Sequence, residues 1–545
     1  MRRSRGQRDE GGVATSVRRT ITRNTAFNTL GRLWEAAANL VLTAYIVPRV
    51  GLAAWGLWAL VSVFTSYVAL LDFGIGSGFA KYIAEHAARD EEHEMSSVVS
   101  TGLCFYLLLG VVVVAVGWPC IDPLIALFAR LHPARAQGLD HTAFLADVRF
   151  LLRWGLVLFA VSNCVAAFTA IQIGLQRMGI TNVVAFVASI IKVVATVAFL
   201  EGGHGVRGLL FANAAVMAFF AAASVAIAFR LAPSLRVRPG CVKRETMRRL
   251  FSYGWRTQVS RLSNILTFQT DRAIVALVYM QFGLVGVYRI GEEFAGKMRQ
   301  APALLLSAII PAASDLDARG DEERLRRLYL LSSKYVCALT IPLVAFCAGS
   351  AGALLRTWMG TVPHLDVSAW VLRVLAVGYL ANVIPGAAAS IALGKGRPDV
   401  QMKAGIIAMV SNLLLTVALV LSIGFYGIPL ATALSMFLSC AWFLAAMRPL
   451  VGVGLTELVR VSVLWPAVAS LPGLAVCAAG DWLAADLVGR WPNGALVAVC
   501  AVAFAAMYLA VIRCTSFLDA FDLDFLGNTL RLKRLPGFRA WAGHK

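Results

Sequence analysis

Nothing constrains this chain more than its succession of apolar segments. A helix needs about 20 apolar residues to cross a bilayer, and about 14 such segments lie between Ala26 and Ile512. Inside lipid the backbone must satisfy its own hydrogen bonds, which helices of this length do. The predicted class is therefore an all-α polytopic membrane protein with about 14 transmembrane helices. Composition agrees: 59% of residues are hydrophobic and 15% charged, against roughly 45–50% and about 25% in soluble domains. The net charge of +20 does not point to nucleic acid, because the basic residues stand between apolar segments rather than on one soluble face. They concentrate in alternate loops: the first 23 residues, "RLAPSLRVRPGCVKRETMRR", "DLDARGDEERLRR", "GKGRPDVQMK" and the C-terminal stretch. That bias predicts both termini on the cytoplasmic side. The first residues lack the short apolar core of a signal peptide. Ten cysteines stand singly with no CxxC pair, so neither a zinc site nor a disulfide framework is indicated, and no metal or other cofactor is expected.

A shift of about 230 residues lays the chain on itself without gaps. "AAWGLW" at Ala53–Trp58 falls on "GLVGVY" at Gly283–Tyr288, and "AARDEEHEM" at Ala87–Met95 on "DARGDEERL" at Asp317–Leu325. Because the shift spans an even number of helices, the copies point the same way across the membrane, as parallel repeats do in transporters. The predicted organisation is two pseudo-symmetric six-helix lobes plus two C-terminal helices. A cytoplasmic basic tail (1–23) precedes the N-lobe (24–230), an inter-lobe linker (231–250) and the C-lobe (251–448). Helices 13 and 14 (449–513) and a cytoplasmic amphipathic tail (514–545) follow.

Several spans carry charges that cost roughly 2.5–3.5 kcal/mol each at mid-membrane. In the first helix Asn28, Arg32, Glu35 and Asn39 recur at steps of three or four, making one polar stripe. The seventh repeats the pattern with Gln258, Arg261, Asn264 and Asp271, and adds Arg272. The eighth carries Arg289, Glu293 and Lys297, an i,i+4 ladder whose members also pair with one another, ahead of a bend at Pro302. Lys192 sits near the middle of the fifth helix and Arg373 in the tenth. Some cations snorkel to the interface, Lys334 among them; the deep ones must line a wet interior. With Glu35, Asp271, Glu292 and Glu293 as the carboxylates among them, positive charge is in excess. An anionic passenger is predicted, phosphate oxygens being the natural complement of Arg forks.

"GWRTQVSRLSNILTFQTDRAIVAL" (Gly254–Leu277) and "GLWALVSVFTSYVALLDFGIGSGFAKYIAE" (Gly56–Glu85) resemble the polysaccharide-export branch of the MOP flippase superfamily, the Wzx-like transporters of lipid-linked oligosaccharides. The resemblance runs from about Asn24 to about Arg448 and fades in the last two helices. It implies alternating access around a cationic cavity in the bacterial inner membrane. The implied substrate is an undecaprenyl-pyrophosphate oligosaccharide, with Arg32, Lys192, Arg261, Arg272, Arg289, Lys297 and Arg373 holding its pyrophosphate. Asn28, Asn39, Gln258 and Asn264 would line the cavity, and Trp34, Tyr67, Trp255 and Tyr288 would stack on sugars. A proton or sodium gradient would couple through Glu35, Asp271 and Glu293, and a polysaccharide polymerase and chain-length regulator would be partners.

"DFG" at Asp72–Gly74 matches a kinase metal-binding tripeptide by letter alone; it ends a membrane helix with no nucleotide-binding sequence around it. "GIGSG" after it is a helix-ending turn. A polytopic glycosyltransferase or ligase would need a sizeable external loop with catalytic acids or bases, which the spacing of the apolar segments does not leave. A cation or drug exporter of the same broad fold should have an acidic or apolar cavity instead of a basic one.

Overall fold

In a computed structural model of the chain, residues 6–131, 141–279, 281–300 and 309–515 are described, together with 302, 306, 517, 518 and 522. The side chains of residues 6–30, 32–33, 128–131, 141–143, 178, 256–257 and 259–260 lie outside that description. The described residues are helical almost throughout and include no strand. Contacts divide the chain into two compact units, Met1–Gly286 and Val287–Lys545.

The first unit holds α1 (Gly6–Val68), α2 (Ile75–Ala88), α3 (Glu92–Leu131), α4 (His141–Gly174), α5 (Met178–Glu201), α6 (Gly205–Leu231), α7 (Arg244–Tyr279) and the start of α8 (Phe282–Gln300). The helix runs back to Gly6, so the basic N-terminal stretch continues α1 where the sequence predicts a separate tail. Pro48 and then Gly51, at φ 83° and ψ 162°, break α1 into two spans. Only glycine takes that backbone without strain. α3 packs on α4 and α5 on α6, and α7 lies against α1, α2 and α3. The sequence opens the C-lobe at α7, whereas contacts group α7 with α1–α6.

The linker between α6 and α7 is fastened to α3. The backbone N–H groups of Arg236, Arg238 and Lys243 donate to the hydroxyls of Ser96, Ser100 and Thr101 at 3.1, 3.3 and 3.1 Å. These hydroxyls are buried, so each linker bond also satisfies a group that would otherwise cost free energy. The start of α7 is thereby fixed.

The second unit contains α9 (Ile309–Ala318), α10 (Glu322–Gly349), α11 (Ala351–Met359), α12 (Leu365–Val383), α13 (Gly386–Gly394), α14 (Pro398–Ile423), α15 (Gly427–Val451), α16 (Leu464–Leu483) and α17 (Arg490–Cys514). α14 and α15 pair, α16 and α17 pair, and α10 packs on α16. Leucines and valines on their outer faces, such as Leu414 and Leu421 on α14 and Val502 on α17, are exposed.

Among the described residues, ten stretches are long and apolar enough to cross a membrane, where the sequence suggests about 14 spans. Two of the ten, Trp34–Asp72 and Pro398–Val451, each hold a pair of the expected spans. The two expected spans left out fall on α7 and α8, whose charges lower their hydropathy.

Gly56 and Gly286, which the internal repeat superposes, meet backbone to backbone. A Cβ on Gly56 would lie 1.8 Å from the Phe282 carbonyl oxygen, and one on Gly286 2.5 Å from that of Leu52. Small residues allow such approach between membrane helices. Gly56→Ala should therefore cost about 1–3 kcal/mol, as overpacking does, read as earlier thermal unfolding in detergent. An unchanged melting profile would contradict the close approach.

Candidate functional site

Two residues of the α1 polar stripe, Glu35 and Asn39, face a cavity of about 610 Å³ inside the first unit, walled by α1, α4, α5 and α6. Glu35 and Asn39 line it from α1, and Lys192, Ser189, Asn182 and Thr181 from α5. The rest of the wall is largely apolar, with Trp34, Leu42, Phe186 and Phe220. Lys192 Nζ donates to Asn39 Oδ1 at 2.9 Å, and Trp34 Nε1 to Ser189 Oγ at 2.6 Å. The Trp34 ring is tilted against Phe186, 5.6 Å between centroids. Three sequence-predicted residues, Glu35, Asn39 and Lys192, are thus brought together from two helices. The side chains of Arg32 and Asn28, one and two turns before Glu35 on α1, lie outside the described residues.

The α7 residues meet a different surface, the turn after α1. Gly254, Gln258 and Arg261, at steps of four and three, form one face of the helix. Gly254 abuts the backbone of Phe73 and Gly74, where a Cβ would meet Gly74 C at 2.6 Å. Gln258 Nε2 donates to the Leu70 carbonyl at 2.6 Å, and Arg261 Nη1 lies 3.0 Å from Asp72 Oδ2. Asp72 is buried and also accepts from Tyr106 Oη at 2.7 Å. Phe73 and Gly74 both sit at positive φ, 50° and 72°, and make a tight turn between helices, while residues 75–78, expected to be part of a helix-ending turn, open α2. The kinase-like letters mean nothing here, and the aspartate serves instead as the partner of Arg261. The signal lay in the spacing: an acid closing one span demands a cation from a neighbour. Further along α7, Asp271 and Arg272 are buried at 3% exposure each, Arg272 bonding to Gln269, while Asn264 is exposed.

In the second unit Arg289 Nε stands 3.4 Å from Glu293 Oε2, the expected i,i+4 pair, with Lys297 one turn on and partly exposed. Arg373 belongs to another group altogether. Its Nη2 bonds Asp481 Oδ2 at 2.5 Å, and Arg356 reaches the other oxygen of the same carboxylate at 3.1 Å. Gly352 N and Ala353 N donate to it as well. This cluster ties α11, α12 and α16 together, with the Arg373 side chain 44% exposed. Lys334, expected to snorkel, is instead buried against Asp522, which Tyr335 Oη also meets at 2.6 Å. Tyr288, 1% exposed, is a core residue packed edge-on to Phe425 and offers no face to a sugar. The sequence undercounted carboxylates because Asp72, Asp481 and Asp522 lie at or beyond the ends of apolar segments. Among the described residues no group of three or more His, Cys, Asp or Glu could hold a metal ion.

Comparison with known proteins adds to this geometry. Residues 21–317, more than half the chain, match the family described as polysaccharide biosynthesis protein. The probable flippase AglR of Haloferax volcanii is 21% identical over 429 residues, covering 77% of this chain and 81% of that protein. The lipid II flippase MurJ, in an inward closed conformation, superposes with a TM-score of 0.63 at 14% identity, over 90% of this chain and 99% of its own. An inward-facing multidrug resistance MATE family transporter of the MOP superfamily does so with a TM-score of 0.60 at 17% identity, over 77% and 94%. The chain therefore shares its multi-pass helical fold with these two proteins.

The cavity geometry predicts water access. In a background without native cysteines, a cysteine at position 192 or 189 should react in membranes with a water-soluble thiol reagent. One at Leu414, on the apolar outer face, should not. Equal protection at all three positions would remove the cavity from consideration.

Proposed function

The chain belongs to the polysaccharide biosynthesis protein family, and from that premise we propose that it is an inner-membrane flippase for lipid-linked oligosaccharides. It carries undecaprenyl-pyrophosphate-linked repeat units from the cytoplasmic to the periplasmic leaflet by alternating access, with both termini cytoplasmic. The headgroup crosses through the polar interior while the prenyl tail stays in lipid. The observation that carries this reading is Lys192: a lysine on a membrane-spanning helix, turned into a cavity of about 610 Å³ beside Asn39 and Glu35. An ionised group at that depth marks a substrate or ion path, and a point charge with three donors suits phosphate oxygens.

Arg261 and Arg272 on α7, Arg32 on α1, and Arg289 and Lys297 on α8 complete the proposed phosphate set. Asn28, Gln258 and Asn264 take lesser polar roles. Trp34, at the cavity wall, supplies an aromatic face for a sugar. Glu35, Asp271 and Glu293 are the carboxylates through which a proton or sodium gradient couples to transport. The similarity to a probable flippase and to a lipid II flippase favours movement of a lipid-linked substrate over catalysis on it. The product would feed a polysaccharide polymerase with its chain-length regulator, toward O-antigen, capsule or exopolysaccharide.

Reconstitution tests this. Purified protein in vesicles should move a fluorescent prenyl-pyrophosphate glycan across the bilayer, and Lys192→Glu should slow that movement at least about tenfold, the effect of losing about 1.4 kcal/mol of stabilisation. Transport at the wild-type rate by a normally folded Lys192→Glu protein would overturn the role given to the cavity.

A further inference from the structure

Asp72 holds an arginine that the proposed function needs for another purpose. The carboxylate is 6% exposed and sits at the end of the short 3-10 turn Ala69–Asp72. Its Oδ1 accepts from Tyr106 Oη at 2.7 Å and from Gly76 N at 3.3 Å. Its Oδ2 takes Arg261 Nη1 at 3.0 Å. The two partners differ in setting: the Arg261 side chain is 49% exposed and the Asp72 side chain 9%. Tyr106 is itself 1% exposed and fixed in the core beneath α2.

That asymmetry decides which partner can leave. Removing one member of a buried ion pair is costly because it strands the other as an uncompensated charge. Here the carboxylate keeps Tyr106 and Gly76 as donors when Arg261 departs, so it is not stranded. The guanidinium, half exposed on a long side chain, can turn without backbone change. A carboxylate presents to an Arg fork much the same planar pair of oxygens as one edge of a phosphate, and a diphosphate carries more charge with which to compete.

We propose that Asp72 is an internal stand-in for the substrate's phosphate: it holds Arg261 on the turn after α1 in the empty protein and yields it to an incoming diphosphate. This rests on Arg261 being a substrate ligand. The exchange also has a mechanical consequence. Arg261 is one of three successive tethers of α7 to that turn, after the Gly254 contact and the Gln258 bond to Leu70. Transfer of Arg261 to the substrate removes the charged tether and leaves the two neutral ones, so occupancy of the site loosens α7 from the turn joining α1 to α2. Asp72 and Tyr106 are positioning residues here, touching Arg261 and not the passenger.

The test is a binding measurement on the full chain in nanodiscs, with inorganic pyrophosphate and farnesyl diphosphate as probes. A ligand whose site is occupied by an internal competitor binds more weakly by the fraction of time the site is free. Asp72→Asn keeps the shape and removes the competing charge, so both probes should bind about tenfold more tightly. Tyr106→Phe takes a donor from the carboxylate and makes it depend more on Arg261, so affinity should fall about threefold. Arg261→Gln should weaken both probes. If Arg261→Gln weakens binding while Asp72→Asn binds no more tightly than the wild type, the exchange is overturned and Arg261 stands as a ligand. If Arg261→Gln binds both probes like the wild type, Arg261 is not a ligand and the exchange falls with it. Hydrogen–deuterium exchange on the unmodified protein gives a check that needs no variant. Adding pyrophosphate should speed exchange in residues 69–76, and slower or unchanged exchange there would overturn the loosening of α7.

Discussion

A charge placed in an apolar helix must find either a partner or water, and the interior of this protein is organised by that requirement. The cost of leaving such groups to lipid, a few kcal/mol each, is met in several ways. Arg153 on α4 meets Asp122 on α3 at 2.5 Å. Arg356 and Arg373 share Asp481, and Lys334 takes Asp522. Arg261 reaches Asp72 at the turn after α1. Lys192 instead faces a cavity, with Asn39 as a neutral partner. Each pairing joins different helices or turns, and all but the first join elements distant in sequence, so charge satisfaction and helix placement are one problem solved together.

The pairs differ in how reversible they are. Asp481 accepts from two arginines and two backbone N–H groups, which fixes three helices in place. The Arg261–Asp72 pair has one half-exposed member and a carboxylate that keeps other donors. A transporter needs both kinds: ion pairs that hold helices as rigid bodies, and contacts poised to change when a ligand arrives. Around the second kind, glycines let backbones touch, so that small shifts of α7 are felt through Gly254 by the turn after α1, and shifts at the start of α8 through Gly56 and Gly286 by α1 itself.

Much of the fold was legible because helix length and apolar composition are imposed by the bilayer itself. The break at Gly51, the turn after Asp72 and the pairing of α14 with α15 follow from glycine placement and the spacing of apolar segments. α7 and α8 resist recognition by hydropathy for the reason that makes them functional: their charges dilute the apolar signal. The α1 and α5 residues of the cavity, Glu35, Asn39 and Lys192, were readable from helical periodicity and from depth within a span. The pairing of Arg373 with Asp481 has no local signal, because the partner lies more than a hundred residues away. Asp72 was missed for a related reason. Its role depends on what α7 brings to it, and the tripeptide around it suggested an unrelated chemistry.

The central claim is that Lys192 on α5 and Arg261 on α7 serve a diphosphate passenger, with Asn39 and Asp72 as their resting partners within the chain. The most direct measurement is a cryo-EM map of the protein in lipid nanodiscs with undecaprenyl diphosphate bound. The account predicts diphosphate density within hydrogen-bonding distance of Lys192 or Arg261, with the Arg261 guanidinium turned away from Asp72. Density elsewhere, with Arg261 still on Asp72 and Lys192 still on Asn39, would contradict it.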